Sequence, residues 1–352
     1  MTAPLPSSDD VPIIEARDWA AALAKYRQPS TVRSLFELTL TLGLLLVLLA
    51  AAFWSMRVST TLTVVFSILA SAPLVRLFMI QHDCSHGAFF KSKRANNWTG
   101  RIIGVLTLTP YDVWKQSHLI HHSTHGNLDR RGIGDITTLT VEEYNSRTFV
   151  GRLAYRLYRH PLILFGVGPV FIFLFHHRLP IGFLKGGAKY WVSAMGTNIT
   201  IVALLIFGGV TIGWGHVLLV FLLVTMPAAV MGVWLFYVQH QFEHTVWDPN
   251  ETWQLHTAAL YGSSYYALPQ PLRWMTANIG IHHVHHLNSR VPFYRLQQVL
   301  SDHPKLASIG RMTLLDSFKT TKLKLWDPVA RRLVPFDGTR RTQDANHIAM
   351  IE

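Results

Sequence analysis

The sequence predicts an all-α integral membrane protein. It should have four transmembrane helices in two hairpins, additional re-entrant or interfacial helices, and a helical cap on the cytoplasmic side. Three features of the chain lead there. Apolar residues make up 49% and charged residues only 15%, against roughly 25% charged in ordinary soluble domains. Apolar runs close to spanning length recur in pairs with very short links. Histidines crowd the positions where those runs end.

The first 32 residues read as a cytoplasmic N-terminal segment. Asp9, Asp10, Glu15 and Asp18 lie there without an early apolar run, so it does not resemble a cleaved signal peptide. Residues 33–335 form the membrane domain. Runs 35–54 and 61–80 are joined by MRVST, and runs 193–213 and 216–238 are joined around GWG. Each approaches the roughly 20 residues that a tilted helix needs to cross the hydrocarbon. The stretch 102–109 is too short to cross and is expected at the core or interface.

Between the hairpins lies HPLILFGVGPVFIFLFHHRLP, residues 160–180, with glycines and a proline at its middle and basic residues at both flanks. Cations mark the cytoplasmic side of a membrane protein, so both ends of this segment are expected there. That makes it re-entrant or interfacial. Both termini then lie in the cytoplasm, and residues 336–352 form a polar tail. Arg76, near the inner end of the second run, is expected to snorkel to the interface.

The formal charge is +12. A basic chain can bind nucleic acid, but cytoplasmic loops rich in Lys and Arg account for the charge, and no nucleic-acid partner is expected. Cys84 is the one cysteine, which excludes an internal disulfide and thiolate-rich metal sites.

The histidines carry the chemistry. QHDCSH places His82 and His86 four residues apart; HLIHH places His118, His121 and His122 at i, i+3 and i+4; HHVHH repeats that spacing with His282, His285 and His286. Residues three and four apart share a helix face, so each cluster can aim two or three imidazoles at a common point. If 160–180 does not cross, all three clusters emerge on one side of the membrane. Neutral imidazole suits iron, zinc, copper or nickel. Eight such ligands exceed the three or four of a single zinc site, which points to two metal ions.

HDCSH, HLIHH and HHVHH resemble the three histidine boxes of the membrane fatty acid desaturases. FYVQHQFEH, residues 236–244, and HLNSRVPFYRL, residues 286–296, resemble the bacterial acyl-lipid branch. The likeness spans about 35–332. It implies a non-haem centre of two iron ions with dioxygen as co-substrate. The implied reaction removes two hydrogens from an acyl chain, in all expectation that of a membrane lipid. It also implies an external electron donor such as ferredoxin and a location in a bacterial inner membrane, with the site facing the cytoplasm. An extra histidine ligand after the last span, which the family uses, is best matched by His240; His244, one turn on, competes for that role.

Ligating histidines usually donate their second N–H to a carboxylate, carbonyl or water, which makes Asp83 and Asn288 candidates to orient ligands. His125 and His283 fall off the ligand pattern. The nearest rival activities are those of the related hydroxylases and ketolases. A metal transporter would place its ligands near mid-membrane, and a haem electron carrier needs paired ligands rather than triplets.

Overall fold

Residues 13–338 are described by a computed structural model and are mostly helical. The ends of the chain, including nearly all of the polar tail at 336–352, lie outside the described residues. Helix α1, Ile13–Ala22, precedes α2, Thr31–Ser55, and α3, Thr60–His86. Ser30 caps α2 by accepting the Arg33 N–H, and Ser59 caps α3 through Leu62. Both satisfy backbone donors that a helix start leaves open. Helix α3 runs six residues past the end of its apolar stretch, so His82 and His86 continue the same rod. It stops at Gly87, whose φ of 67° and ψ of 26° are left-handed.

Helices α4, Lys93–Leu106, and α5, Tyr111–Thr124, follow α3. Strand β1, Leu139–Thr140, leads into α6, Val141–Asn145, and α7, Phe149–Tyr158. A π-helical turn, Ile163–Val167, then joins α8, Gly168–Leu174. Next come α9, Ala188–Gly208, and α10, Trp214–His240. The remaining helices are α11, Leu255–Tyr261; α12, Gln270–Met275; α13, His282–Leu287; α14, Phe293–Asp302; and α15, Leu314–Lys319.

The chain is not purely helical. β2, Tyr265–Ala267, pairs in parallel with β3, Arg311–Thr313; β4, Leu325–Asp327, pairs in parallel with β1 and antiparallel with β5, Arg332–Val334. Strands of two or three residues give the periodicity of a sequence nothing to read; β1–β4 and β2–β3 form where loops from distant parts of the chain meet, and β4–β5 is a local hairpin.

Among the described residues three stretches are long and apolar enough to cross a membrane: Thr31–Ser55, Thr60–His86 and the 53 residues Ala188–His240. A straight helix of the last length would reach about 80 Å, far beyond the roughly 30 Å of hydrocarbon. The chain instead reverses around Gly209–Gly213. Gly213 has a φ of 108°, and a Cβ on Gly208 would come within 3.1 Å of Val217, nine residues away. A fourth candidate, Phe149–Tyr158 with Ile163–Arg178, is bent by 56°.

Helix α3 is central, packed on α2, α10 and α4. Small residues are buried on all three of the long helices: Ser67, Ala70 and Ser71 on α3, Thr41 and Ala52 on α2, and Ala228 and Ala229 on α10. Small side chains let helices approach closely where lipid gives no hydrophobic drive to association. Arg76 does not snorkel. It is buried against Glu37 of α2 at 2.5 Å and donates to the Trp274 carbonyl, because a neighbouring helix offers the carboxylate that water would otherwise replace.

Both ends of 160–180 lie at the histidine end of the molecule. Arg159 donates to Gln241, next to His240, at 2.7 Å. Arg178 donates to the Leu108 carbonyl and to Asn198, and the flanking Thr107 and Thr109 bond Gln81, next to His82.

Candidate metal centre

Four elements bring the histidines together: the end of α3 with His82 and His86, α5 with His118, His121 and His122, the end of α10 with His240, and α13 with His282, His285 and His286. Their rings form two groups. In the first, His118 Nε2 stands 3.0 Å from His86 Nε2 and 3.1 Å from His122 Nε2, and His122 Nε2 is 3.1 Å from His285 Nε2. His82 completes this group. In the second, His240 Nε2 stands 3.1 Å from His121 Nε2 and 3.0 Å from His282 Nε2, while His286 Nε2 is 3.1 Å from His282 Nε2.

Each triplet is therefore divided. The i and i+4 residues of α5 face the first group and its i+3 residue, His121, the second. On α13 the assignment is reversed: His282 and His286 face the second group and His285 the first. Positions i+3 and i+4 differ by about 100° around a helix, so one triplet works as a fork that straddles two centres. The seam between the groups is narrow, with the His122 and His286 rings stacked at 4.0 Å.

The donor sets fit metal ions. An imidazole nitrogen carries one lone pair or one hydrogen, yet His118 Nε2 faces two neighbours at 3.0 and 3.1 Å, as does His240 Nε2. Pairwise hydrogen bonds cannot satisfy such a ring of nitrogens; a central cation can. Two ligand atoms each about 2.1 Å from an ion, at right angles, lie about 3.0 Å apart, which is the spacing found. His82 is buried with neither ring nitrogen hydrogen-bonded. Burial first, and neighbouring rings second, hold His118, His122, His282, His285 and His286 well below the usual imidazole range. At neutral pH they are uncharged and free to donate lone pairs.

Behind these rings lies a second layer. His121 Nδ1 is 2.6 Å from Asp135 Oδ1. His125 meets the Gly262 carbonyl at 2.7 Å and lies 3.2 Å from His240 Nδ1. His283 turns away to the Leu306 carbonyl at 2.9 Å. His244 is half-buried and is not among the rings that meet here.

Asp83 Oδ1 is 3.6 Å from His82 Nδ1, beyond hydrogen-bond reach, while its Oδ2 accepts the Phe293 N–H at 2.7 Å. Asn288 is engaged elsewhere, accepting from Arg27 Nε at 2.9 Å and donating to the Ala20 carbonyl. Asp135 is the residue that sequence reasoning missed. Its available signal was an acid preceded by two glycines in GIGD, a short loop after the second histidine cluster.

Fold and site together define a helical membrane protein with a buried double histidine cluster able to hold metal. Comparison with known proteins gives that class its family. The family model described as Fatty acid desaturase matches residues 59–309. The chain is 43% identical over 316 residues to a protein of Bacillus subtilis (strain 168) named Fatty acid desaturase, covering 89% of each chain. It is 29% identical over 310 residues to an sn-1 acyl-lipid omega-3 desaturase (ferredoxin) of Synechocystis sp., covering 84% of this chain and 81% of that one. An sn-1 oleoyl-lipid 12-desaturase of the same organism is 27% identical over 232 residues, 64% of this chain and 63% of that one. The protein belongs to the fatty acid desaturase family, and its activity class is that of an oxidoreductase acting on fatty acyl chains. The rival hydroxylase, transporter and haem readings are not favoured.

Proposed function

We propose that the protein introduces a double bond into an acyl chain of a membrane lipid, at two iron ions and with dioxygen as co-substrate. The first ion is held by His82, His86, His118, His122 and His285, the second by His121, His240, His282 and His286. The observation that carries this reading is the convergence of nine imidazoles from four separate elements into two interlocked groups. When bound, the iron pair supplies what no side chain here can, oxidation by dioxygen of unactivated C–H bonds.

The protein's own part is position and exclusion of water. The helix ends fix the rings against each other, and burial keeps them neutral. Trp114 stacks on His118 at 4.6 Å, and Phe236 lies 5.2 Å from His121 and 5.1 Å from His240. Both present apolar faces beside the two groups, suited to holding a methylene chain in reach. Asp83 and Asn288 brace the frame: Asp83 ties α3 to α14, and Asn288 ties α13 to the N-terminal segment.

The lipid-linked substrate and a ferredoxin-like donor are supported by the names of the Synechocystis relative. A net charge of +12 suits an acidic donor, since complementary charge speeds encounter.

The topology we infer has four crossings, α2, α3, α9 and α10, with residues 160–180 re-entrant or interfacial. The histidines and both ends of the described chain face the cytoplasm of a bacterial inner membrane; the termini themselves lie outside the described residues. Its support is the reversal at Gly213 and the return of both ends of 160–180 to the histidine level. The contacts of Trp19 with His303 and of Leu333 N–H with the Glu243 carbonyl bring both ends of the described chain there too.

The test is expression in a host that lacks the relevant unsaturation, with lipids profiled by mass with and without dioxygen. An oxygen-dependent loss of two hydrogens is expected, abolished by His285→Ala with the protein still in the membrane. A gain of oxygen instead would make it a hydroxylase. Reduction by a ferredoxin that is indifferent to ionic strength would sink the acidic donor.

A further inference from the structure

We infer that Asp135 is a positioning residue, whose carboxylate orients His121 and serves as the counter-charge for the ion held by His121, His240, His282 and His286. This deepens the reading above and rests on it.

The geometry is specific. Asp135 Oδ1 lies 2.6 Å from His121 Nδ1, with the two side chains 4% and 1% exposed. Donation from Nδ1–H fixes the tautomer and leaves Nε2, the nitrogen that faces His240, as the one with a lone pair. Among the described residues His121 is the only ion-pair partner of Asp135, and the other oxygen, Oδ2, is buried without a hydrogen bond. A buried carboxylate without a cation is costly. A metal ion on the far side of the imidazole is the compensating positive charge that the surrounding side chains do not supply.

Asp135, His121 and His125 also lie close enough to be considered a third metal site. The 2.6 Å contact argues against it. Two atoms bound to one ion sit about 3 Å apart, whereas 2.6 Å is a charge-assisted hydrogen bond.

The loop that carries Asp135 is built for this approach. Gly134 has a φ of 81°, and a Cβ there would come within 3.0 Å of His121 Cβ and 3.1 Å of the Ser117 carbonyl, so a glycine lets the loop close onto α5. Downstream, the buried Arg159 donates to the Thr137 carbonyl at 3.1 Å and Thr138 Oγ1 at 3.2 Å. Its other nitrogen reaches Gln241, next to His240. One guanidinium thus locks the Asp135 loop to the end of α10, which supplies a second ligand of the same group. Among the described residues the first group has no carboxylate in such contact, since Asp83 stands 3.6 Å from His82 and is held by a backbone N–H.

The experiment uses full-length protein in detergent, loaded with iron, in the wild-type, Asp135→Asn and Asp135→Glu forms. It reads metal stoichiometry under chelator competition, Mössbauer spectra and thermal unfolding. Changing a partner of a ligating histidine typically weakens metal binding 10–100-fold. In Asp135→Asn, about that loss is expected for one of the two equivalents, together with a shift in one of two quadrupole doublets. The other equivalent and the unfolding temperature of the metal-free protein should stay unchanged, and Asp135→Glu should recover part of the affinity. An Asn variant that holds both equivalents as the wild type does overturns this inference alone. So does one that loses both equally along with its thermal stability, because that is what a merely structural residue would do. A wild-type protein that binds no metal overturns the proposed function and this inference with it.

Discussion

The two histidine groups are built from the same two helical forks, yet their surroundings differ. The first takes five rings from α3, α5 and α13, and the carboxylate beside it is directed at a backbone N–H. The second takes four rings from α5, α10 and α13, and has a buried carboxylate in direct contact with one of them. Equal ligand chemistry thus sits in unequal electrostatic settings. The difference teaches that a ligand list underdetermines a metal site: what stands behind the rings decides how firmly each ion is held.

The hardest blow to this comparison would come from His240. His240→Ala should abolish the product and remove the ion of the second group, while His244→Ala leaves both intact; metal analysis and lipid profiling of the two variants decide. The reverse result would transfer the ligand to His244 and dissolve the second group as described. Next in size is chelator stripping of the wild-type protein. Two phases are expected, the faster releasing the ion of the first group, where among the described residues no carboxylate comes within hydrogen-bond distance of a ring, Asp83 standing 3.6 Å from His82; a single phase would make the groups equivalent.

Asp83→Asn should be milder. It weakens the tie to the Phe293 N–H, costing about 1–3 kcal/mol of stability, measurable as a lower unfolding temperature with both ions retained. Metal loss instead would show that Asp83 supports His82 as Asp135 supports His121. Smallest is Asn288→Ala, which frees Arg27 and the Ala20 carbonyl. About 1 kcal/mol and faster proteolysis of the N-terminal segment are expected, without change in metal content.

Much of this protein was legible before folding. The apolar runs announced the helices, because a backbone in lipid must satisfy its hydrogen bonds within its own segment. The i, i+3, i+4 spacing of His118, His121 and His122, and of His282, His285 and His286, announced convergent imidazoles, because a helix fixes the relative direction of neighbours on one face. The short strands were not legible: β1 and β4, and β2 and β3, pair across more than forty residues, and β4 with β5 is a hairpin of three-residue strands too short to show a period.

Tertiary packing alone decided how the histidines are divided between the two groups. A helical fork has no preferred prong until other helices approach it. α3 met one side of the α5 fork and α10 the other, and that contact sent His118 and His122 to one group and His121 to its neighbour. The same packing drew in His240 rather than His244, brought Asp135 onto His121 through a loop that only Gly134 can close, and took Asn288 away to Arg27. Local spacing sets angles within one element; distances between elements follow from the burial of whole faces, and the chemistry of this centre depends on those distances.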